Sequence, residues 1–325
     1  MDAAVWYRWF AENEAAGSSP RYERLAQAVA DDDDLLKWLG RLPAAKRQPN
    51  LLFATVRYLG GPTGSVEEFV EFVRDNASAV EATMSTRATQ TNEAARCAAF
   101  VPVLAEMHGE VALIEVGASA GLCLFLDRYA YRYDGGERLG DSRLEIRVDT
   151  AHTVKAPQRL PEVSWRAGLD LDPLDVSDAD DLSWLQACVW PEHEKRRHRL
   201  DLAVEIVGAD PPRIDRGDLR DATRALIDDA PRNATKVVFH SAVLAYVDEP
   251  SRRAFCTAMR HLVEERDDVV WLSNEGPTAV ADLDVSASPE PPPVAGAHFH
   301  LGHNGTELVA LTDSHGRWLR WANST

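Results

Sequence analysis

The sequence predicts an α/β protein in which a helical N-terminal unit is followed by a mostly parallel β-sheet. Residues 1–109 carry several amphipathic helical patterns and no clear strand. Residues 111–121, VALIEVGASAG, form an apolar, β-branched run with a carboxylate and two glycines, which is typical of a strand and a tight turn. Strands and helices alternate from there onwards, as in βαβ units. We therefore expect two domains, a helical lid unit at residues 1–109 and a sheet domain at residues 110–325.

The N-terminal helices are predicted from apolar positions at helical spacing. Ser65 opens SVEEF, in which Glu68 completes a capping box, and the helix runs towards Val80. The segment from Ser85 to Gly109 is predicted as a longer helix that leads into the first strand. Because the unit runs directly into that strand, we expect it to lie over the binding crevice as a lid.

The turn within residues 111–121 is the predicted ligand-binding element. The stretch that follows, LCLFLDRYAYRY, has apolar residues at helical period and is predicted as a helix ending near Tyr133. Gly117 and Gly121 lack a Cβ atom, so the backbone can turn sharply and approach a ligand. The first amides of the predicted helix would point at that ligand.

Two segments compete for the second strand of the sheet. LEIRVDT at residues 144–150 would place Asp149 at the strand end, whereas VSWRAGLDL at residues 163–171 would place Asp170 there. We favour residues 163–171, because their carboxylate is flanked by apolar residues and leads into a loop and a helix start. The other predicted strands are residues 212–219, 235–247 and 268–276, and an antiparallel pair within residues 297–321.

Composition and charge limit the partners and the cellular compartment that we expect for this protein. The formal net charge of -17 over 325 residues argues against a general affinity for nucleic acid or for an anionic membrane. The four cysteines form no CxxC pair and fit reduced thiols better than a disulfide framework. The N-terminal residues lack a basic region followed by an apolar core, and no segment approaches membrane-spanning length. We expect a cytoplasmic protein with a small-molecule or protein partner.

Three chemistries use glycine turns of this kind. A dinucleotide fingerprint requires G-x-G-x-x-G, but Ser119 and Leu122 stand where the second and third glycines belong. A nucleophile elbow, G-x-S-x-G, fits the turn and would make Ser119 the nucleophile of an α/β-hydrolase-type serine esterase. Its acid and base would come from later residues, namely Asp248, Asp284, His298, His300, His303 and His315. Because such an elbow usually follows several strands, the helical residues before the turn count against it.

The third chemistry is cofactor binding in class I S-adenosylmethionine-dependent methyltransferases, which the chain resembles in several places. IEVGASAG is similar to the first motif of that class, and GLDLDP, RGDL and VVFHSAVLAYV are similar to the regions of its second, third and fourth strands. The resemblance implies a Rossmann-like methyltransferase sheet that closes with an antiparallel strand. It also implies S-adenosylmethionine as the cofactor and a small-molecule methyl acceptor as the partner.

The resemblance also assigns cofactor-binding roles. Asp170 would hold the ribose, Asp218 would lie beside the adenine, and Glu115 would hold the turn or the methionine part of the cofactor. Gln90 and Asn92, at the start of the helix that feeds the first strand, would meet the amino-acid end. The turn would contribute Gly117, Ala118, Ser119 and Gly121.

His240 and Glu275 are the predicted catalytic residues, because each stands at the carboxyl end of a later strand, where open parallel sheets bind their ligands. Three histidines are spaced so that two can share a strand face, but no matching carboxylate or thiol accompanies them. These are His298, His300 and His303. We therefore predict no metal site.

More closely, the chain resembles an uncharacterised bacterial family known as a domain of unknown function (DUF2332). The similar pieces are QTNEAARC, EVGASAGL with DRYAYRY, RAGLDLDPLDV, WPEHEKRRHRL and the HG…WLRW ending, which span most of residues 85–321. Because the family name conveys no reaction, function has to be argued from the site. One further alternative is therefore a methyltransferase-like scaffold that binds a nucleotide-like ligand or a protein partner without catalysis.

Overall fold

The computed structural model describes residues 2–153, 156–280, 283–286, 288–292 and 298–322, and it has the mixed α/β class that the sequence predicts. The α-helices are α1 (Ala3–Phe10), α2 (Pro20–Asp31), α3 (Asp33–Leu39), α4 (Pro49–Tyr58), α5 (Val66–Asp75), α6 (Ala77–Thr86), α7 (Cys97–Ala105), α8 (Ala179–Cys188), α9 (Glu194–Ala209), α10 (Leu219–Asp229) and α11 (Glu249–Glu265). The strands are β1 (Glu110–Val116), β2 (Ala130–Tyr133), β3 (Glu145–Val148), β4 (Glu162–Asp170), β5 (Arg213–Arg216), β6 (Thr235–Ser241), β7 (Val269–Glu275), β8 (His298–His303), β9 (Glu307–Asp313) and β10 (Leu319–Trp321). Within these described ranges, no helix combines the length and the apolar composition that a membrane crossing requires.

The chain forms two compact units. The first comprises residues 1–91 and 177–198, and the second comprises residues 92–176 and 199–325. This division differs from the predicted boundary after residue 109, because packing partners override chain order. In the second unit, Phe100 of α7 packs edge-on against Phe239 of β6, with 5.2 Å between ring centroids. In the first, Trp190 lies 5.6 Å from Phe10 of α1.

The first unit is helical, as predicted. Ser65 caps α5 by accepting the amide of Glu68, as the capping-box pattern predicts. The single helix expected from Ser65 towards Val80 is two helices, because the backbone leaves helical geometry at Asn76 (φ -110°, ψ 21°). The core of the unit is an aromatic cluster around the buried Phe53, formed by Tyr7, Phe10, Tyr22 and Phe69.

The second unit is built on an eight-stranded sheet with the order β10-β9-β8-β7-β6-β1-β4-β5. Five of these strands are parallel to one another, and their order in the sheet is β5, β4, β1, β6 and β7. From β1 the chain first adds β4 and β5 on one side, and then crosses to add β6 and β7 on the other. Such a reversal of strand order opens a crevice at the carboxyl ends of β1 and β6, where sheets of this type bind ligands.

The second strand of the sheet is the one that we favoured. β4 pairs in parallel with β1, with Glu115 beside Gly168, and β1 also pairs with β6, with Glu115 beside Phe239. The competing segment forms β3, which pairs with β2 in a separate two-stranded sheet. Asp170 is therefore the residue that ends the second strand of the main sheet.

The prediction of a helix after the first turn is wrong. Residues 122–128 form a 3₁₀ segment that is interrupted at Phe125 (φ -103°, ψ 24°), and β2 follows directly. Alternate tyrosines explain the difference. The buried hydroxyls of Tyr129 and Tyr131 donate to the carbonyl oxygens of Leu122 and Leu126, each at 2.6 Å. This spacing of two is the period of a strand, and it overrides the helical pattern of the preceding apolar residues.

The carboxyl-terminal edge of the sheet is antiparallel. β8 runs antiparallel to β7, β9 to β8, and β10 to β9. The sequence predicts two strands in this region, whereas the described residues contain three. The additional strand, β10, spans three residues.

Candidate functional site

The turn after β1 is closed by hydrogen bonds to the end of β4. The amides of Gly117 and Ala118 both donate to the carbonyl oxygen of Leu169, at 2.7 and 3.1 Å. The amide of Ser119 donates to Oδ2 of Asp170 at 2.7 Å. Gly117 (φ 72°) and Ser119 (φ 53°) adopt left-handed backbone geometry, which produces the sharp change of direction.

The two glycines of the turn are required by packing within the protein. A Cβ atom on Gly117 would overlap the side chain of Val243, which follows β6. A Cβ atom on Gly121 (φ 72°) would lie 2.9 Å from Cγ of Pro212. Packing therefore requires glycine at both positions, and the predicted approach of these glycines to a ligand stays a prediction.

Asp170 holds the turn through its carboxylate. Oδ2 accepts the amide of Ser119, and Oδ1 accepts the amide of Asp172 at 2.8 Å. The backbone carbonyl of Asp170 accepts the amide of Gly217, at the end of β5, at 2.9 Å. Each carboxylate oxygen has a second lone pair, so the group keeps the capacity to accept hydrogen bonds from ligand hydroxyls.

Glu115 is a buried carboxyl group one residue before the end of β1. Its residue is 5% exposed, and Oε2 has no hydrogen-bond partner among the described residues. Burial raises the pKa of the Glu115 carboxyl well above its ordinary value, nearby Cys123 and Asp170 raise it further, and Arg96 opposes the shift. Protonation or a bound cationic group would relieve this unfavourable burial.

Ser119 carries the second buried oxygen of the turn. Its Oγ has no hydrogen-bond partner in the described parts of the chain, although the residue is only 5% exposed. Its backbone carbonyl accepts the amide of Leu174 at 3.2 Å, which fixes the loop after β4 against the turn. No described histidine contacts Oγ, so the structure supplies no base for an elbow nucleophile at this position.

Asn92 contacts the turn. Its side-chain amide donates to the carbonyl oxygen of Ala118 at 2.8 Å. Asn92 begins the second compact unit, whereas Gln90 belongs to the first. Asn92 thus belongs to the unit that carries the turn, and its side chain contacts it.

His240 and Glu275 form a buried network. Nδ1 of His240 donates to Oε1 of Glu275 at 2.7 Å, and Nε2 accepts the indole N–H of Trp271 at 2.9 Å. Because an indole N–H can only donate, Nε2 is unprotonated and Nδ1 carries the proton. Glu275 also accepts the amides of Val243 and Leu244, at 2.9 and 3.2 Å. The pair thus holds the loop after β6 in place, and the predicted catalytic role would require this network to open.

Asp218 is the amino-terminal cap of α10. It accepts the amide of Arg220 at 2.9 Å, and its carboxylate pairs with the Arg220 guanidinium at 2.7 Å. These hydrogen bonds lower the pKa of the Asp218 carboxyl. A contact with adenine would therefore have to compete with Arg220.

The sequence did not indicate that Arg96, the residue before α7, is buried. Arg96 is 6% exposed, and it donates from Nε to the carbonyl oxygen of Ser314 at 2.8 Å and from Nη1 to that of Ser241 at 3.2 Å. Cys97 donates to the carbonyl oxygen of Cys123 at 3.7 Å. Both cysteines are buried free thiols. No local sequence pattern distinguishes Arg96 from a solvent-exposed arginine, because its burial results from the tertiary fold.

The acidic cluster that lies elsewhere in the chain is paired within the protein. Among the described residues, one group of acidic side chains is close enough to hold a metal ion, and it lies at the start of α8. Its members are Asp178, Asp180 and Asp181. Asp178 caps α8, while the other two pair with Arg87. His303 pairs with Glu307 at 3.0 Å.

A surface cleft of about 510 Å³ lies apart from the turn, beside the small β2–β3 sheet. Its charged lining is internally paired, because Arg132 and Arg147 both contact Glu145 and His152 contacts Asp134. We therefore place the candidate site at the turn, where buried polar atoms have no partner, and not at this cleft.

Fold and site together define a mixed α/β protein with a polar, glycine-containing turn at the strand-order reversal of a mostly parallel sheet. The chain belongs to the family described as "Uncharacterized protein conserved in bacteria (DUF2332)", whose model matches residues 4–321. No curated protein matches the chain.

Proposed function

We propose that this protein is an S-adenosylmethionine-dependent methyltransferase that acts on a small molecule. The observation that carries the proposal is a pair of buried oxygens, Oε2 of Glu115 near the end of β1 and Oγ of Ser119 in the turn that follows, neither of which has a partner among the described residues. Burying a polar atom without a partner is costly, and a ligand that supplies donors removes the cost. The hydroxyl and ammonium groups of a nucleoside that carries an amino acid are such donors.

The charge of the turn supports this cofactor over a dinucleotide. Glu115 lies near the carboxyl end of β1 and Asp170 ends β4, and carboxylates repel the phosphates of a dinucleotide. They favour ribose hydroxyls and a cationic group instead. The order of the five parallel strands and the antiparallel strand beside β7 are also compatible with the methyltransferase sheet that the sequence resembles.

Four residues would hold the cofactor. Asp170 would accept from the ribose hydroxyls through its remaining lone pairs, and Glu115 would accept from the amino-acid end. Ser119 Oγ and the turn carbonyl that Asn92 orients complete the polar surface. When bound, S-adenosylmethionine supplies an electrophilic methyl group on a sulfonium centre.

Positioning is the main contribution that this chain would make to the transfer. Holding donor and acceptor in line can supply a large part of the rate enhancement without proton transfer. His240 and Glu275 are engaged in the interior, where they fix the loop after β6, and a proton relay through them would require this network to open. The proposal therefore favours acceptors whose nucleophilic atom is already deprotonated near neutral pH.

Thermal stabilisation and methyl transfer test the proposal. S-adenosylhomocysteine at millimolar concentration should raise the melting temperature of the wild-type protein and should leave that of Asp170→Ala unchanged. Incubation with methyl-labelled S-adenosylmethionine and a metabolite extract should then label a small molecule. Absence of stabilisation in the wild-type protein would contradict the proposal.

A serine esterase is the second candidate, and one observation favours it. Ser119 has a positive φ of 53°, which is the kind of strained turn on which an elbow nucleophile sits. Covalent labelling of Ser119 by a fluorophosphonate, lost in Ser119→Ala, would establish this chemistry. The missing hydrogen bond from Oγ to a base predicts that labelling does not occur.

A non-catalytic binding scaffold is the third candidate. The engaged state of His240 favours it, because both ring nitrogens are used by protein groups. Binding of S-adenosylhomocysteine without label transfer to any extract component would select the scaffold over the enzyme.

A further inference from the structure

Three polar side chains on the main sheet form a hydrogen-bonded chain that ends at the crevice. Oγ1 of Thr312 in β9 lies 2.7 Å from Oδ1 of Asn274 in β7, and Nδ2 of Asn274 lies 3.0 Å from Oγ of Ser241. Thr312 and Asn274 are buried, whereas Ser241 is partly exposed. Because Ser241 is the last residue of β6, its hydroxyl group stands where the reversal of strand order opens the crevice.

Burial fixes the direction of these hydrogen bonds. Thr312 is 1% exposed, and the acceptor that its hydroxyl group reaches in the described parts of the chain is Oδ1 of Asn274. With the Asn274 amide turned the other way, the buried hydroxyl proton of Thr312 would have no acceptor, which is costly. The amide nitrogen of Asn274 therefore donates to Ser241, and the hydroxyl proton of Ser241 is directed away from Asn274.

The hydroxyl group of Ser241 is the open end of this chain. Its oxygen accepts from Asn274, and no described residue accepts its proton. Hydrogen bonds that run in one direction polarise one another, so the bond from Asn274 makes this hydroxyl a stronger donor. The next residue, Ala242, has a φ of 59° and donates its amide to the carbonyl oxygen of Asn274 at 3.1 Å, which fixes the backbone after Ser241. The sheet thus presents an oriented hydrogen-bond donor to the crevice.

We propose that the Ser241 hydroxyl binds the carboxylate of the methyl acceptor, and that the protein converts a small-molecule carboxylic acid into its methyl ester. This assignment rests on the proposed function, since it names the class of acceptor. One carboxylate oxygen accepts the hydrogen bond from Ser241, and the other attacks the methyl carbon. The new C–O bond forms as the bond between that carbon and the sulfonium sulfur breaks. The products are the methyl ester and S-adenosylhomocysteine, and no proton is released.

The interior network around His240 supports a carboxylate over a neutral acceptor. A neutral alcohol or amine has to lose a proton when it is methylated, and a base assists that loss. Both ring nitrogens of His240 are used by protein groups, so a proton relay through this residue requires the network to open. A carboxylic acid, with an ordinary pKa of about 4, is already deprotonated at neutral pH. A carboxylate is also a stronger partner for a hydroxyl donor than a neutral oxygen is.

The alkali lability of the transferred methyl group tests the class of acceptor. The full chain is incubated with methyl-labelled S-adenosylmethionine and a metabolite extract, and the products are treated with mild alkali. Methyl esters hydrolyse and release the label as volatile methanol, whereas methyl ethers and methylamines retain it. We expect alkali-labile label, and we expect no transfer to an extract whose carboxylates have been blocked as amides. Alkali-stable label would overturn the carboxylate assignment while the proposed function stands.

Substitutions along the chain test the role of Ser241. Ser241→Ala should slow label transfer about 30-fold, the range expected for a hydrogen bond to a charged group, and should leave the affinity for S-adenosylhomocysteine unchanged. Ser241→Thr keeps the hydroxyl and should retain most of the transfer. Thr312→Val removes the donor that orients Asn274, and it should slow transfer by less than Ser241→Ala does. The matched control is Ser78→Ala, an exposed position on α6, which should behave as wild type.

Binding of S-adenosylhomocysteine separates recognition of the acceptor from folding. Slow transfer with retained binding in Ser241→Ala supports the assignment, because the cofactor crevice is then intact. If Ser241→Ala lost both properties, normal transfer by Ser241→Thr together with slow transfer and retained binding in Thr312→Val would support it, and any other result for these two variants would overturn it. Wild-type transfer by Ser241→Ala would also overturn it while the proposed function stands. Failure of the wild-type protein to bind S-adenosylhomocysteine, or to label any extract component, would overturn both.

Discussion

Glu115 is the residue at which stability and binding are expected to conflict. Its folded-state pKa is raised, chiefly by burial, so the protonated form stabilises the fold. That contribution is fully present below the ordinary glutamate pKa, and it is lost as the pH rises through the raised value. The groups that face Glu115 and set this range are Cys123, Asp170 and Arg96.

Glu115→Gln should therefore become more stable relative to wild type as the pH rises from about 5 to about 8, by at most about 1.4 kcal/mol per pH unit. The amide carries no charge at any of these pH values. Urea unfolding at a series of pH values measures the difference. The exposed Glu106→Gln is the matched control, and its curve should run parallel to wild type. A pH-independent difference for Glu115→Gln would contradict the raised pKa of the buried Glu115 carboxyl.

Asp170→Asn tests the carboxylate that closes the turn. An amide cannot offer two oxygens, so one of the amides of Ser119 and Asp172 would lose its acceptor. We expect a loss of about 1–3 kcal/mol in the free energy of unfolding and at least tenfold weaker binding of S-adenosylhomocysteine. Chemical denaturation and titration measure the two effects.

The control for this substitution is Asp172→Asn, which changes a side chain that is 41% exposed and paired with Arg216. It should change stability by no more than about 1 kcal/mol. If Asp170→Asn behaved like this control in both measurements, the carboxylate would not be what holds the turn.

The position of a residue was predictable where it ends a strand. Asp170 ends β4 as the sequence suggested, and there its carboxylate holds the turn, while its predicted contact with a ribose stays a prediction. His240 also stands at a strand end, yet both of its nitrogens are used in the interior. Its partner Trp271 comes from the next strand, and no local pattern indicates that pairing. Arg96 was missed for the same reason.

At the scale of elements, the turn and the loop after β6 act as one packed unit. Gly117 combines a φ of 72° with a position that leaves no room for a Cβ atom beside Val243. Glu275 fixes the same loop through the amides of Val243 and Leu244. The turn geometry therefore depends on groups that lie more than a hundred residues away in sequence.

Gly117→Ala should destabilise the protein by about 2–4 kcal/mol, because it adds backbone strain to a steric overlap. Val243→Ala removes the overlap and leaves the backbone strain. The double variant should thus be more stable than the sum of the two single changes by about 1–3 kcal/mol, as measured by urea unfolding in a double-mutant cycle. Strict additivity would show that Val243 does not press on the turn.

Elements were predictable where one periodicity dominates. The strand that became β1 is apolar throughout, and the favoured second strand is β4. The segment after the turn combines helical spacing in LCLFL with alternating tyrosines in YAYRY, and hydrogen bonds from the buried tyrosine hydroxyls decide in favour of 3₁₀ and strand geometry. A conflict between two local patterns is resolved only by tertiary packing.

At the scale of the whole molecule, the sequence predicts the helical and sheet-forming parts but not which residues join them. Residues 92–109 belong to the sheet unit, since Phe100 packs on β6. Residues 177–198 belong to the helical unit, where Arg57 donates to the carbonyl oxygen of Ala187 at 2.8 Å. These attachments connect segments that are distant in sequence, and composition carries no signal for them.

The most direct measurement of the central claim is an isothermal titration of S-adenosylhomocysteine into the wild-type chain and into Glu115→Gln. We expect micromolar binding by the wild type, and at least tenfold weaker binding by the variant, which should be folded and no less stable at neutral pH. The claim would be contradicted if the wild-type protein bound no ligand at millimolar concentration, or if Glu115→Gln bound it equally well.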